Sequence, residues 1–166
     1  MLSISHINIL SLPKHFDKLS HSPYLIKHDI IGISETWLNS SHFSSAYTCS
    51  LPGYSLVRRD CELTCPGGGV AFYVRNHIKY ERVNLASSGT AEVFAIDVVS
   101  CKSKFRPMLV YNPPSVSNGI VTQFENLLTP KMLQIPTIMS QQKFSMLLSF
   151  TNSKSQMFLM LRSLGL

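Results

Sequence analysis

After Asp97 the chain contains no aspartate, and after His77 no histidine. Residues 98–166 hold seven basic residues and one acid, Glu125. That half offers neither a carboxylate pair nor an imidazole for acid–base work. Charged residues are scarce at 14%, which excludes a disordered polyelectrolyte. No apolar run reaches the roughly 18–20 residues that cross a bilayer. Met1 to Leu12 lacks a basic n-region and a small-residue cleavage site, so no secretory signal is read there. The four cysteines, Cys49, Cys61, Cys65 and Cys101, are expected as free thiols in a reducing compartment. No second pair at ligand spacing follows Cys61 and Cys65, which sets a zinc knuckle aside. Gly67-Gly68-Gly69 is followed by no Gly-Lys-Ser/Thr, so it is a hairpin turn rather than a phosphate-binding loop. Internal repeats and low-complexity tracts are absent.

What is present is a chain of 166 residues, 45% apolar, enough for one domain with a real core. The net charge of +6 is uneven. Residues 1–97 balance eight basic against eight acidic residues, and the whole excess lies in residues 98–166. A basic half suits a polyanion such as nucleic acid, or it is simply a solvated basic surface.

Alternation and turn signals divide the chain. Ile4–Leu10 reads as a first strand. Pro13 opens a helix that Pro23 breaks or kinks. Asp29–Ser34 is a short, nearly continuous apolar run, as in a strand buried on both faces. Tyr54–Arg59, Val70–Arg75, Ile78–Leu85, Ala91–Val99 and Arg106–Tyr111 follow as strands. Their spacing suggests a sandwich or large antiparallel sheet. Ile120–Met132 reads as a helix and Ile135–Met139 as a strand. Phe144–Phe150 is apolar without clean periodicity. Met157–Leu164 has a helical pattern, with Gly165 as its cap.

Three residues are candidates for chemistry. Glu35 closes a buried strand, and a carboxylate at a sheet rim is placed to hold a divalent cation. Read alone, it is more often a solvated strand end. Asn8 interrupts a strand, where an amide is disfavoured unless it has a task. It could bind a phosphate or orient a metal-bound water, although a satisfied edge-strand asparagine is the commoner case. Tyr111 is stiffened by the following Asn112-Pro113-Pro114-Ser115 and could present its phenol to a phosphate, or simply pack.

In order along the chain stand Asn8-Ile9-Leu10-Ser11-Leu12, then Asp29 to Leu38 with Ser34-Glu35-Thr36-Trp37-Leu38 at its end. Pro52-Gly53-Tyr54 with Arg58-Arg59-Asp60, then Gly67 to Val74, then Tyr111 to Ser115 complete the series. This series resembles the endonuclease domain of non-LTR (LINE-type, jockey-like) retrotransposons. That domain belongs to the endonuclease/exonuclease/phosphatase family, with the apurinic/apyrimidinic endonucleases. The likeness is dense over residues 5–115, and residues 116–166 diverge.

The resemblance implies an α/β (α+β) fold, a four-layer sandwich of two mainly antiparallel sheets flanked by helices. It implies one partial domain over residues 1–166, incomplete at its C-terminal end. It implies Mg²⁺- or Mn²⁺-dependent hydrolysis of DNA phosphodiesters, with Glu35 on the metal and Asn8 and Tyr111 in catalytic positions. DNA is the implied partner, with neither a membrane nor a small-molecule cofactor. The location implied is intracellular, nucleus or cytoplasm, and the chain could belong to a longer retroelement product that includes a reverse transcriptase.

The family's later motifs are not matched. Where Gly-Asp-Phe-Asn is expected, Phe144 aligns with the Phe, which sets Lys143 on the Asp and Ser145 on the Asn. The terminal Ser-Asp-His has no counterpart. Since no Asp follows Asp97 and no His follows His77, no change of register recovers these groups. The expectation is an endonuclease domain with impaired catalysis. The alternatives are a non-catalytic basic nucleic-acid-binding module, or a relic of a mobile element without function.

Overall fold

The computed structural model describes residues 2–39, 49–60, 67–83, 92–100, 103–111, 144–150 and 156–163. The chain divides into two compact units, Met1–Lys79 and Tyr80–Leu166. The expected helix at 120–132, the strand at 135–139, and Cys61, Cys65, Cys101, Lys143 and Gly165 lie outside the described residues.

In the first unit, the apolar run of the second strand behaves as its composition demands. β2 (Ile30–Ser34) is buried at every position, as a central strand covered on both faces must be. It pairs in parallel with β1 (Ile4–Asn8) and antiparallel with β4 (Val70–Arg75), which pairs antiparallel with β3 (Tyr54–Arg59). The sheet order is β1-β2-β4-β3. A parallel β1–β2 pair needs a crossover connection. α1 (Leu12–Ser20) begins that crossover, with Pro13 in its first turn as expected. Leu12 and Leu19, both buried, place the helix on the face that carries Ile9, Ile31, Ile33 and Tyr73. Cys49, a free thiol, is buried in the same cluster.

The second unit is an antiparallel sheet in the order β5-β6-β7-β9-β8. Its strands are β5 (Tyr80–Val83), β6 (Glu92–Ser100), β7 (Ser103–Tyr111), β8 (Phe144–Phe150) and β9 (Gln156–Ser163). Arg106, only 5% exposed, meets Asp97 across β6 and β7 with bonds of 2.6 and 2.7 Å. A buried guanidinium needs such a fork-to-fork partner.

One expectation is corrected here. Met157–Leu164 was expected to be helical, but Gln156–Ser163 is a strand between β7 and β8. The run from Met157 to Leu161 is apolar at every position. Such a run fits a buried helix and a buried strand equally, and pairing with two neighbours decides it. The apolar stretch 144–150, left without an assignment by its periodicity, is β8 for the same reason.

The mixed α/β class with two mainly antiparallel sheets agrees with the expected fold class. Among the described residues, no helix is long and apolar enough to cross a membrane.

Candidate functional site

The site is built where β1 and β2 end. The β1–β2 ladder continues past the strands: Ile9 N–H donates to Ser34 O at 3.1 Å, Ser11 N–H to Glu35 O at 2.9 Å, and Leu12 N–H to Thr36 O at 2.8 Å. On the other side, Thr36 N–H donates to Gly69 O at 3.1 Å and Trp37 N–H to Gly68 O at 3.0 Å. The segment Glu35–Trp37 is therefore held between the exit of β1 and the glycine turn before β4.

That clamp explains the triple glycine. Gly67, Gly68 and Gly69 all have positive φ, and a Cβ at Gly69 would collide with the Thr36 hydroxyl. The connection from β3 to β4 lies partly outside the described residues, so the expected hairpin turn is not seen whole; the close approach to Thr36 is the reason for glycine at position 69.

Two of the three candidates meet here. Asn8 Nδ2 donates to Glu35 Oε1 at 3.1 Å. Asn8 Oδ1 accepts the Leu10 N–H at 3.2 Å, an Asx turn that starts the chain's departure from the sheet. Both side chains are partly exposed, so the pair faces solvent while its backbone is fixed. Tyr111 ends β7 in the second unit, opposite Glu92 on β6 and Gln156 on β9, and is 5% exposed.

His6 is a residue that sequence reasoning does not single out. Its Nε2 lies 3.1 Å from Ser34 Oγ, and burial pushes its pKa down from 6.5 to about 4. A neutral imidazole therefore braces β1 against β2, one alternation from Asn8. Nothing in an alternating strand marks such a histidine in advance.

The metal-binding oxygens of the pair are those of the Glu35 carboxylate, since the Asn8 carbonyl already accepts the Leu10 N–H. That chemistry fits a hard cation such as Mg²⁺, which takes one or two carboxylates and keeps much of its water. Among the described residues no three His, Cys, Asp or Glu side chains form a metal-holding group, so the fit is to a water-rich site and not to a protein cage.

No protein family model matches the chain, and no curated protein does. Among solved structures, the chain is similar to the AP endonuclease LMAP from Leishmania major, with a TM-score of 0.51 at 20% sequence identity. The match covers 79% of this chain and 46% of that one, so the chain spans less than half the length of the protein it resembles. At this identity the likeness is one of fold, and the fold of this chain is AP-endonuclease-like.

Proposed function

We propose that the chain is an endonuclease-type domain over residues 1–166, of retroelement origin, acting on DNA, with impaired catalysis. The observation that supports this best is the 3.1 Å bond between Asn8 and Glu35 at the rim of the first sheet, within an AP-endonuclease-like fold. In this reading the Glu35 carboxylate holds Mg²⁺ or Mn²⁺. Asn8 fixes the carboxylate's orientation and presents its amide to the phosphate; for Tyr111, at the end of β7, a phosphate-binding phenol is assigned on the family resemblance alone. When bound, the cation polarises a phosphoryl oxygen and offsets charge on the leaving oxygen.

The impairment is inferred from the segment in which the resemblance sets Lys143 and Ser145 on the motif's Asp and Asn. A base that deprotonates water and an acid that serves the leaving group contribute about 10²–10⁴-fold each. None of residues 98–166 is an Asp or a His that could fill these roles.

Isothermal titration of Mg²⁺ into the full chain and into Glu35→Ala tests the metal. Binding in the parent and its loss in the variant are expected, with plasmid nicking at background. Absence of binding in the parent overturns the metal assignment, and Glu35-dependent nicking overturns the impairment.

The basic half favours a second reading, a binding module without catalysis. Its net charge of +6 lies wholly in residues 98–166. DNA affinity that falls steeply with salt, with no metal requirement, is the outcome that selects it.

A further inference from the structure

Four non-glycine residues among those described have positive φ: Leu10 (49°), Ser11 (89°), Glu35 (57°) and Trp37 (55°). Among the described residues, four large apolar side chains are exposed: Leu10 (53%), Tyr24, Trp37 (45%) and Val99. Only Leu10 and Trp37 belong to both sets. Single exposed apolar residues are ordinary. A left-handed backbone at a leucine or a tryptophan is not, because the Cβ crowds the following carbonyl oxygen. Here both occur together, on the two segments that carry Asn8 and Glu35.

The strain is enforced and not incidental. The backbone around Trp37 is tied to the glycine turn and to the exit of β1. A methyl group at Gly67 would sit 3.8 Å from the indole nitrogen, so the turn backbone runs beside the ring. The indole is thus held at the rim, half-exposed, where a flexible loop would let it fold inward. The surrounding charge suits a polyanion. The first turn of α1, which contains Lys14, has no acid, Arg59 ends β3 at the same sheet edge, and Asp60 is paired with Arg58 at 3.3 Å.

We infer that Trp37 forms a stacking surface for an unpaired nucleobase next to the Asn8–Glu35 pair. An aromatic ring offers its face to any base, which makes the contact tolerant of sequence. A base within a paired duplex has no free face, so the partner is single-stranded or locally opened DNA. This rests on the proposed nucleic-acid function and names the form of the strand that it takes.

Trp37 is the one tryptophan of the chain, so its emission reports this site alone. The full chain is titrated, without divalent cation, with a short thymidine oligonucleotide and with an abasic oligonucleotide of the same length. Fluorescence anisotropy of labelled strands measures binding in parallel. Indole emission is expected to be quenched by the base-bearing strand and not by the abasic one. Trp37→Leu should lose about tenfold in affinity for the base-bearing strand, and Trp37→Phe should retain it, since stacking is worth about 1–3 kcal/mol per base. Rescue by Phe separates stacking from mere apolar bulk. Binding without a change in emission, or an equal change with the abasic strand, overturns the stacking surface and leaves the nucleic-acid reading standing. Absence of binding to any strand overturns both.

Discussion

Where β2 begins and β4 ends, Asp29 accepts the Ser3 N–H and the Ser3 hydroxyl, both at 2.8 Å. Nearby, the Tyr54 hydroxyl lies 2.7 Å from Ile26 O and 2.6 Å from His28 O. Arg75 donates to Ile26 O at 2.7 Å and covers the Tyr54 ring at 4.4 Å. Where β1 and β2 end, on the opposite edge of the same sheet, four non-glycine residues carry positive φ and two large apolar side chains face solvent. One edge ties its connecting loop down with polar bonds and no non-glycine residue at positive φ. The other spends stability to hold side chains in fixed, exposed positions. Strain kept in place by surrounding bonds is a feature of sites more than of scaffolds. The contrast supports the proposed site at that edge without reference to any relative.

The largest effect that would test this contrast comes from Gly69→Ala. The new methyl group meets the Thr36 hydroxyl, and φ of +80° is unfavourable for alanine. The combined cost is about 2–4 kcal/mol, read as a drop in the urea midpoint of unfolding. A neutral result would mean that the clamp on Glu35–Trp37 yields easily and that the strain there is not enforced.

Next in size is a pH effect that separates the two edges. Burial lowers the His6 pKa from 6.5 to about 4, so the unfolded chain takes up the proton first on acidification. The stabilisation is complete above pH 6.5 and is lost as pH falls from 6.5 to 4, by roughly 3 kcal/mol. Asp29 acts in a lower window. Burial alone would raise its pKa, but the Ser3 bonds and the charges of His77 and Arg75 outweigh it, and the net shift is below 3.8. Its contribution is present above that ordinary value and disappears only as pH falls through the lowered one. Unfolding midpoints measured across this range should fall in two stages. His6→Gln should remove the upper stage and leave the lower. A single stage unchanged in His6→Gln would show that the β1–β2 brace carries no stability.

Much of this architecture is legible in the residues. Alternation and glycine–proline punctuation mark β1 to β4, β6 and β7, because each has a flanking turn and β-branched or aromatic content. β9 is misread because its apolar run has no period to distinguish strand from helix. At the site, Asn8 and Glu35 look individually like a satisfied strand asparagine and a solvated strand end. Only the parallel pairing of β1 with β2, which sets Asn8 against Ser34, brings the amide to the carboxylate. The left-handed backbone at Leu10 and Trp37 cannot be read in advance, since both residue types disfavour it. Those positions are set by the ladder bonds on either side, against local preference.

The smallest effect is the most diagnostic, because its sign differs from that of most substitutions. Leu10 has φ of 49° and is 53% exposed, so its side chain contributes little packing. Glycine at this position removes the steric cost of the left-handed backbone, about 1–2 kcal/mol. It adds back about 0.5–1 kcal/mol through the greater freedom of the unfolded chain. Leu10→Gly should therefore leave stability unchanged or raise it by up to about 1 kcal/mol. A loss of stability in Leu10→Gly would place Leu10 with the scaffold and end the distinction between the two edges at that position.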